Sequence, residues 1–101
     1  MMKGEAMWRM NPGSTEALDL FNQVRTRAGV EPFAELTEEN MLAERGREMF
    51  YEGARRQDLI RFGAFGDEWE FKPASDGNKI IFPIPQAQIN SNPNLDQNPG
   101  Y

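Results

Sequence analysis

Apolar residues recur at helical spacing through the first half of the chain and lose that spacing in the second. Met2, Ala6, Met7 and Met10 follow a helical period with no capping residue before them. They predict a helix that ends near Met10 and is expected to begin upstream. Asn11-Pro12-Gly13-Ser14 stops it. A second helix is predicted over residues 15–28, capped by Ser14 or Thr15. Ala17, Leu20, Phe21, Val24 and Ala28 form its apolar stripe, and Gly29 follows as the terminating residue. Two helices joined by so short a turn make an αα-hairpin.

Beyond the extended Val30-Glu31-Pro32-Phe33, Thr37 caps a third helix with Glu38 and Glu39 in its first turn. The pattern predicts one long helix running to about residue 62 and ending at Gly63. Gly46 and Gly53 would each cost about 1 kcal/mol relative to alanine inside it, which points to another backbone packed close by. From Ala64 onward the helical period is gone. Trp69-Glu70-Phe71 and Lys79-Ile80-Ile81-Phe82 predict two short strands around Ser75-Asp76-Gly77-Asn78. Phe65, Trp69, Phe71 and Phe82 read as anchors that hold this part onto a core. A single helical turn is expected within residues 84–90, and the rest reads as a Pro/Asn-rich strap. The fold class is mainly α: a tetratricopeptide-like helical hairpin plus one long helix (residues 1–63), then an irregular strap with at most a short β-hairpin (residues 64–101).

Composition narrows what such a chain can do. It has 101 residues, enough for one small domain, with neither cysteine nor histidine. That removes the thiol nucleophile, the disulfide and the commonest general base and transition-metal ligand. No catalytic residue, metal site or cofactor is expected, and the chain does not read as an enzyme. A net charge of −5 is the wrong sign for non-specific nucleic-acid binding. The polar second half leaves the core to few helices, so exposed faces would favour self-association of an isolated segment.

Four stretches, in order, carry a family resemblance. They are Leu20-Phe21-Asn22-Gln23-Val24-Arg25-Thr26-Arg27-Ala28-Gly29; the run from Glu44-Arg45-Gly46-Arg47-Glu48 through Phe50-Tyr51-Glu52-Gly53 to Asp58-Leu59-Ile60-Arg61-Phe62-Gly63; Phe82-Pro83-Ile84-Pro85-Gln86; and Asn92-Pro93-Asn94-Leu95-Asp96-Gln97-Asn98-Pro99-Gly100-Tyr101. With the opening Met2-Lys3-Gly4-Glu5-Ala6, the chain resembles the C-terminal portion of the SusD/RagB family. Gly46 and Gln57 depart from it, standing where the family more often has an arginine and an aromatic residue. The resemblance implies an outer-membrane, lipid-anchored scaffold on the external face of a Gram-negative cell. It further implies capture of oligosaccharide or another nutrient and delivery to a TonB-dependent transporter, without catalysis. The family's sugar contacts come mainly from upstream loops, so no binding residue is carried over. A second reading is a free-standing helical-hairpin module that binds a protein or peptide.

Several residues carry both a chemical and a structural reading. Glu44, Glu48 and Glu52 share a helix face and could form a carboxylate row; ion pairs with Arg45, Arg47, Arg55 and Arg56 explain them more simply, at about 0.3–0.5 kcal/mol each when exposed. Glu52 with Arg56, and Asp58 with Arg55, are expected as partly buried pairs. Asn92-x-Asn94-x-Asp96 has the opening spacing of a calcium loop without its glycine or distal glutamate, and turn hydrogen bonds account for it. Trp8 and Trp69 offer aromatic faces to a pyranose ring, and Trp69, in a loop, is the candidate ligand-binding residue. Leu20, Phe21, Val24, Met41, Leu42, Met49 and Phe50 are expected to pack the helices, with Tyr51 and Phe62. The strap over residues 83–101 is read as intramolecular, with partner docking as its other role.

Overall fold

Helix α1, Met2–Met10, and helix α2, Thr15–Arg27, form the expected hairpin across the turn at residues 11–14. The computed structural model describes residues 1–101, which divide into two compact units, Met1–Asp58 and Leu59–Tyr101. Ser14 caps α2, its Oγ accepting from the Ala17 N–H at 3.2 Å. At the other end Gly29 takes φ +71°, a conformation that a side chain would disfavour. The α1 and α2 backbones come close to one another. They can do so because Gly4 lies over the wholly buried Phe21: a Cβ there would stand 3.0 Å from Phe21 Cδ2 and 3.3 Å from the Ala17 carbonyl oxygen. Gly4→Val is accordingly expected to cost about 1–3 kcal/mol through overpacking, read as a lowered thermal midpoint. An unchanged midpoint would contradict this packing.

Helix α3 spans Glu38–Glu48 and begins with a reciprocal cap. Thr37 Oγ1 accepts from the Asn40 N–H at 3.2 Å, and the Thr37 N–H donates to Asn40 Oδ1 at 2.8 Å. Met41, one turn in, is wholly buried, as are Ala17 and Phe21, and Leu36 completes the core of the first unit.

The long helix predicted to residue 62 is interrupted. After α3 the chain turns through residues 49–54 and resumes as α4, Arg55–Arg61. Gly53 adopts φ +72° and Tyr51 φ +64°, both outside the right-handed helical region. Gly53 is therefore the turn residue of a reversal and lies outside either helix. Gly46 does remain within α3, but a side chain approaches it where a backbone was expected. A Cβ at Gly46 would lie 2.8 Å from Arg55 Nη1, and that guanidinium crosses the glycine to donate to the Leu42 carbonyl at 2.8 Å. Phe50, placed among the packing residues by its sequence, is 73% exposed in this turn, against Tyr51 with ring centroids 4.6 Å apart.

In the second unit the two-strand hairpin is reduced to one bridge, Trp69 with Lys72. Residues 79–82 do not form its partner strand: Gly77–Ile80 is a 3-10 turn. The Lys79 N–H donates to Asp76 O at 3.1 Å and the Ile81 N–H to Asn78 O at 3.2 Å, so amides that a ladder needs are spent locally. Phe71 is 89% exposed and Phe82 is exposed too, so neither is the anchor expected of it. Helix α5, Gln86–Ser91, realises the helical turn expected after Pro85.

Side-chain amides tie the last residues back to the segment before α5. Gln97 Oε1 accepts from the Ile84 N–H at 2.8 Å while its Nε2 donates to Ile84 O at 2.9 Å. Asn98 Nδ2 donates to Phe82 O at 2.7 Å, Asn78 Nδ2 to Gly100 O at 2.9 Å, and the Tyr101 hydroxyl to Ile81 O at 2.8 Å. These bonds give the Pro/Asn-rich sequence a fixed course without a sheet.

Candidate functional site

The charged residues that dominate α3 are the most organised polar feature of the first unit. Arg45 is buried between two buried carboxylates, with its Nε 2.9 Å from Asp58 Oδ2 and 3.9 Å from Glu5 Oε2. The Nε–H is not aligned for a hydrogen bond, so the attraction is between charges. Arg9 Nε donates to the other Glu5 oxygen, Oε1, at 2.8 Å, and Arg9 Nη1 lies 3.5 Å from Glu38 Oε1. A second cluster centres on buried Glu44. Its Oε2 accepts from Arg25 Nη1 at 2.8 Å and from Arg47 Nη2 at 2.6 Å. Arg25 also donates through Nε to Glu31 O at 2.6 Å and stacks on Phe33 with its Cζ 4.0 Å from the ring centroid. Asn22 fixes the same extended segment by exchanging two hydrogen bonds with the Phe33 backbone, at 2.8 and 3.0 Å. Arg27 pairs with Glu48 at the rim.

These findings revise the expected ion pairs. Arg45 and Glu44 are interior groups, and Asp58 pairs with Arg45 instead of Arg55. Glu52 stands in the exposed turn, so the row with Glu44 and Glu48 is broken and the Glu52–Arg56 spacing of a single helix is lost. Along an unbroken helix Arg45 and Asp58 would stand about 20 Å apart; the reversal at residues 49–54 brings them into contact. Guanidinium contacts occupy Glu5, Glu44 and Asp58, which suits these carboxylates to holding helices together and leaves them poorly placed for proton transfer. Glu5 was not singled out by the sequence. Its signal was there, in a carboxylate set between the small residues Gly4 and Ala6 and four residues before Arg9.

The two tryptophans differ. Trp8 is part-buried and its indole N–H donates to Leu36 O at 2.7 Å, a structural bond between α1 and the segment before α3. Trp69 is 49% exposed and its indole N–H meets no acceptor in the chain. It opens a two-residue hairpin closed by reciprocal backbone bonds, Trp69 N–H to Lys72 O at 2.9 Å and Lys72 N–H to Trp69 O at 2.8 Å. Lys72 Nζ lies 4.5 Å from the centre of the indole and donates to Asp67 O at 2.7 Å. A shallow cleft of about 550 Å³ is lined by residues 68–73. In the strap, the Asn94 N–H donates to Asn92 Oδ1 at 3.1 Å, the turn bond that the Asn-x-Asn spacing suggested.

Comparison with known proteins bears on how these parts are to be read. The starch-binding protein SusD of Bacteroides thetaiotaomicron is 34% identical to this chain over 111 aligned residues. The alignment takes in 100% of this chain and 20% of SusD, so the chain spans about one fifth of that relative's length. The profile described as the SusD family matches residues 1–101, the whole of both units, including the buried ion-pair clusters and the amide-tied strap. The chain belongs to the SusD family.

Proposed function

We propose that residues 1–101 are the C-terminal segment of a cell-surface glycan-binding protein that captures oligosaccharide and passes it to a TonB-dependent outer-membrane transporter. The observation that carries this reading is the family match over the full chain, joined to a relative named for binding starch. On this reading the protein sits on the external face of the outer membrane, held by a lipid anchor contributed by sequence upstream. No helix in the chain is long and apolar enough to cross a membrane. The segment's own contribution is mainly structural: α3 and α4 are locked to the hairpin by guanidinium–carboxylate contacts, and the strap is tied by amides. Its clefts are shallow and open, as suits a surface that contacts ligand without enclosing it. The mechanism is binding and release with no bond chemistry, and the engagement of Glu5, Glu44 and Asp58 by arginine supports that view.

The test is calorimetric titration of the protein as its gene encodes it with maltoheptaose, alongside an assay for newly formed reducing ends. Saturable binding with an unchanged number of reducing ends is expected. Absence of binding across a panel of neutral glycans, or release of reducing ends, would overturn the reading. A free-standing helical module that binds protein is the second reading, favoured by the exposed Phe50–Tyr51 pair. A coding sequence that truly begins at Met1 would bring it forward, whereas a long in-frame extension carrying a lipidation cysteine would remove it.

A further inference from the structure

We infer that the Trp69–Lys72 hairpin is a subsite for a neutral pyranose of a bound oligosaccharide, with the Trp69 indole as its stacking platform. The inference rests on the glycan-binding reading above and adds a location and a preference to it. An aromatic residue that anchors a loop covers its ring and satisfies its N–H, as Trp8 does with Leu36. Trp69 does neither. Its N–H is unpaired and half of the residue is open, although its backbone is held on both sides by the reciprocal bonds to Lys72.

The lysine explains how so small a loop keeps the indole in place. Its ammonium lies over the ring at 4.5 Å and donates to Asp67 O at 2.7 Å and Pro73 O at 3.3 Å. A cation–π contact on one side and two carbonyls on the other leave Lys72 little freedom, so the side chain braces the ring and its charge is already committed. The ammonium lies over one indole face, and the residue as a whole keeps 49% of its surface exposed. The apolar C–H face of a pyranose matches that surface in shape and polarity. Glu68 and Glu70 line the same cleft and form no ion pair or hydrogen bond with the chain, which leaves their carboxylates able to accept from sugar hydroxyls. Phe71, at the tip of the turn and 89% exposed, extends the apolar surface beyond the indole.

Charge sets the preference. The cleft presents two unpaired carboxylates and one ammonium that is already occupied, so uronates and sulfated sugars meet repulsion there with no free cation to receive them. Neutral glycans meet the carboxylate acceptors and the unpaired indole N–H donor without that repulsion.

The experiment is hydroxyl-radical footprinting of the protein as its gene encodes it, with and without saturating maltoheptaose, reading oxidation at each tryptophan by mass spectrometry. Calorimetry in the same buffer shows whether the glycan binds at all. Oxidation of Trp69 is expected to fall several-fold on binding while Trp8 stays unchanged, and a polygalacturonate oligomer is expected to leave Trp69 unprotected. Trp69→Ala is expected to weaken binding about tenfold, as loss of an aromatic hot spot does, with Trp69→Phe recovering most of it. Heat of binding with undiminished Trp69 oxidation would overturn this subsite and leave the glycan-binding reading standing. No heat with any neutral glycan would overturn both. Equal protection by the polygalacturonate oligomer would overturn the preference for neutral sugars.

Discussion

Arg45→Met is expected to destabilise the protein by about 3–5 kcal/mol, because it removes the one cation between two buried carboxylates. Arg45, Glu5 and Asp58 are each at least nine-tenths buried, so water cannot take over the role of the guanidinium. Native domains have about 5–15 kcal/mol of stability in total, so the loss is a large fraction of it. At about 4–8 °C per kcal/mol, the thermal midpoint should fall by more than about 10 °C, measured by circular dichroism at the helical band. The cost is that of taking the guanidinium away from both Asp58 and Glu5, although Glu5 keeps its bond to Arg9, and neutralising the two carboxylates should recover much of it. A variant carrying Glu5→Gln, Asp58→Asn and Arg45→Met together should melt above Arg45→Met alone. If Arg45→Met costs under about 1 kcal/mol, as an exposed pair would, the cluster does not bind the helices together.

Phe21→Ala carries a comparable penalty from a different cause. Phe21 has no exposed surface and lies beneath Gly4, so truncation leaves a cavity that neither α1 nor α2 can close without moving its backbone. A loss of about 3–5 kcal/mol is expected. The geometry also predicts a specific rescue. Gly4→Val destabilises the wild type by intruding on the ring, but in the Phe21→Ala background the added methyl groups enter the vacated space. The two changes should therefore be less damaging together than the sum of each alone, a coupling that a double-mutant cycle reads directly. Strict additivity would mean that Gly4 and Phe21 do not share a site.

Much of the first unit was legible because its signals are local. The Asn-Pro-Gly-Ser stop, the Ser14 and Thr37 caps, the stripe through Phe21 and the terminating Gly29 each act within a few residues, and each appears where the spacing puts it. The break after Glu48 was missed because Gly53 weakens a helix only modestly and Tyr51 gives no warning of a left-handed backbone. Nothing local distinguishes a tolerated glycine from a reversal. What decides is the distant pairing of Arg45 with Asp58, which repays the turn. The burial of Arg45 and Glu44 was illegible for a related reason. A charge run on one helix looks solvated until its partners, Glu5 and Arg25, arrive from other helices. Trp69 lies in a loop, as its sequence setting indicates, yet its pinning by Lys72 depends on a two-residue turn, and the strand pattern around it pointed to a longer hairpin. Phe71 and Phe82 were misplaced because aromatic character predicts affinity for a core but cannot say whether one is within reach.

The reversal at residues 49–54 also bears on how such a chain can change over generations. Surface turns ordinarily absorb insertions and deletions at little cost. Here the segment's length determines whether Asp58 arrives at Arg45 or stops short of it, and Arg55 must at the same time reach across Gly46 to the Leu42 carbonyl. Residue types at the exposed Phe50 and Glu52 are free to drift, whereas Gly53 is held by its positive φ; the number of residues in the turn is not free either. Natural length variation among kindred sequences should therefore pass over this turn and collect elsewhere. A one-residue insertion after Glu52 should harm the fold more than almost any single replacement made there.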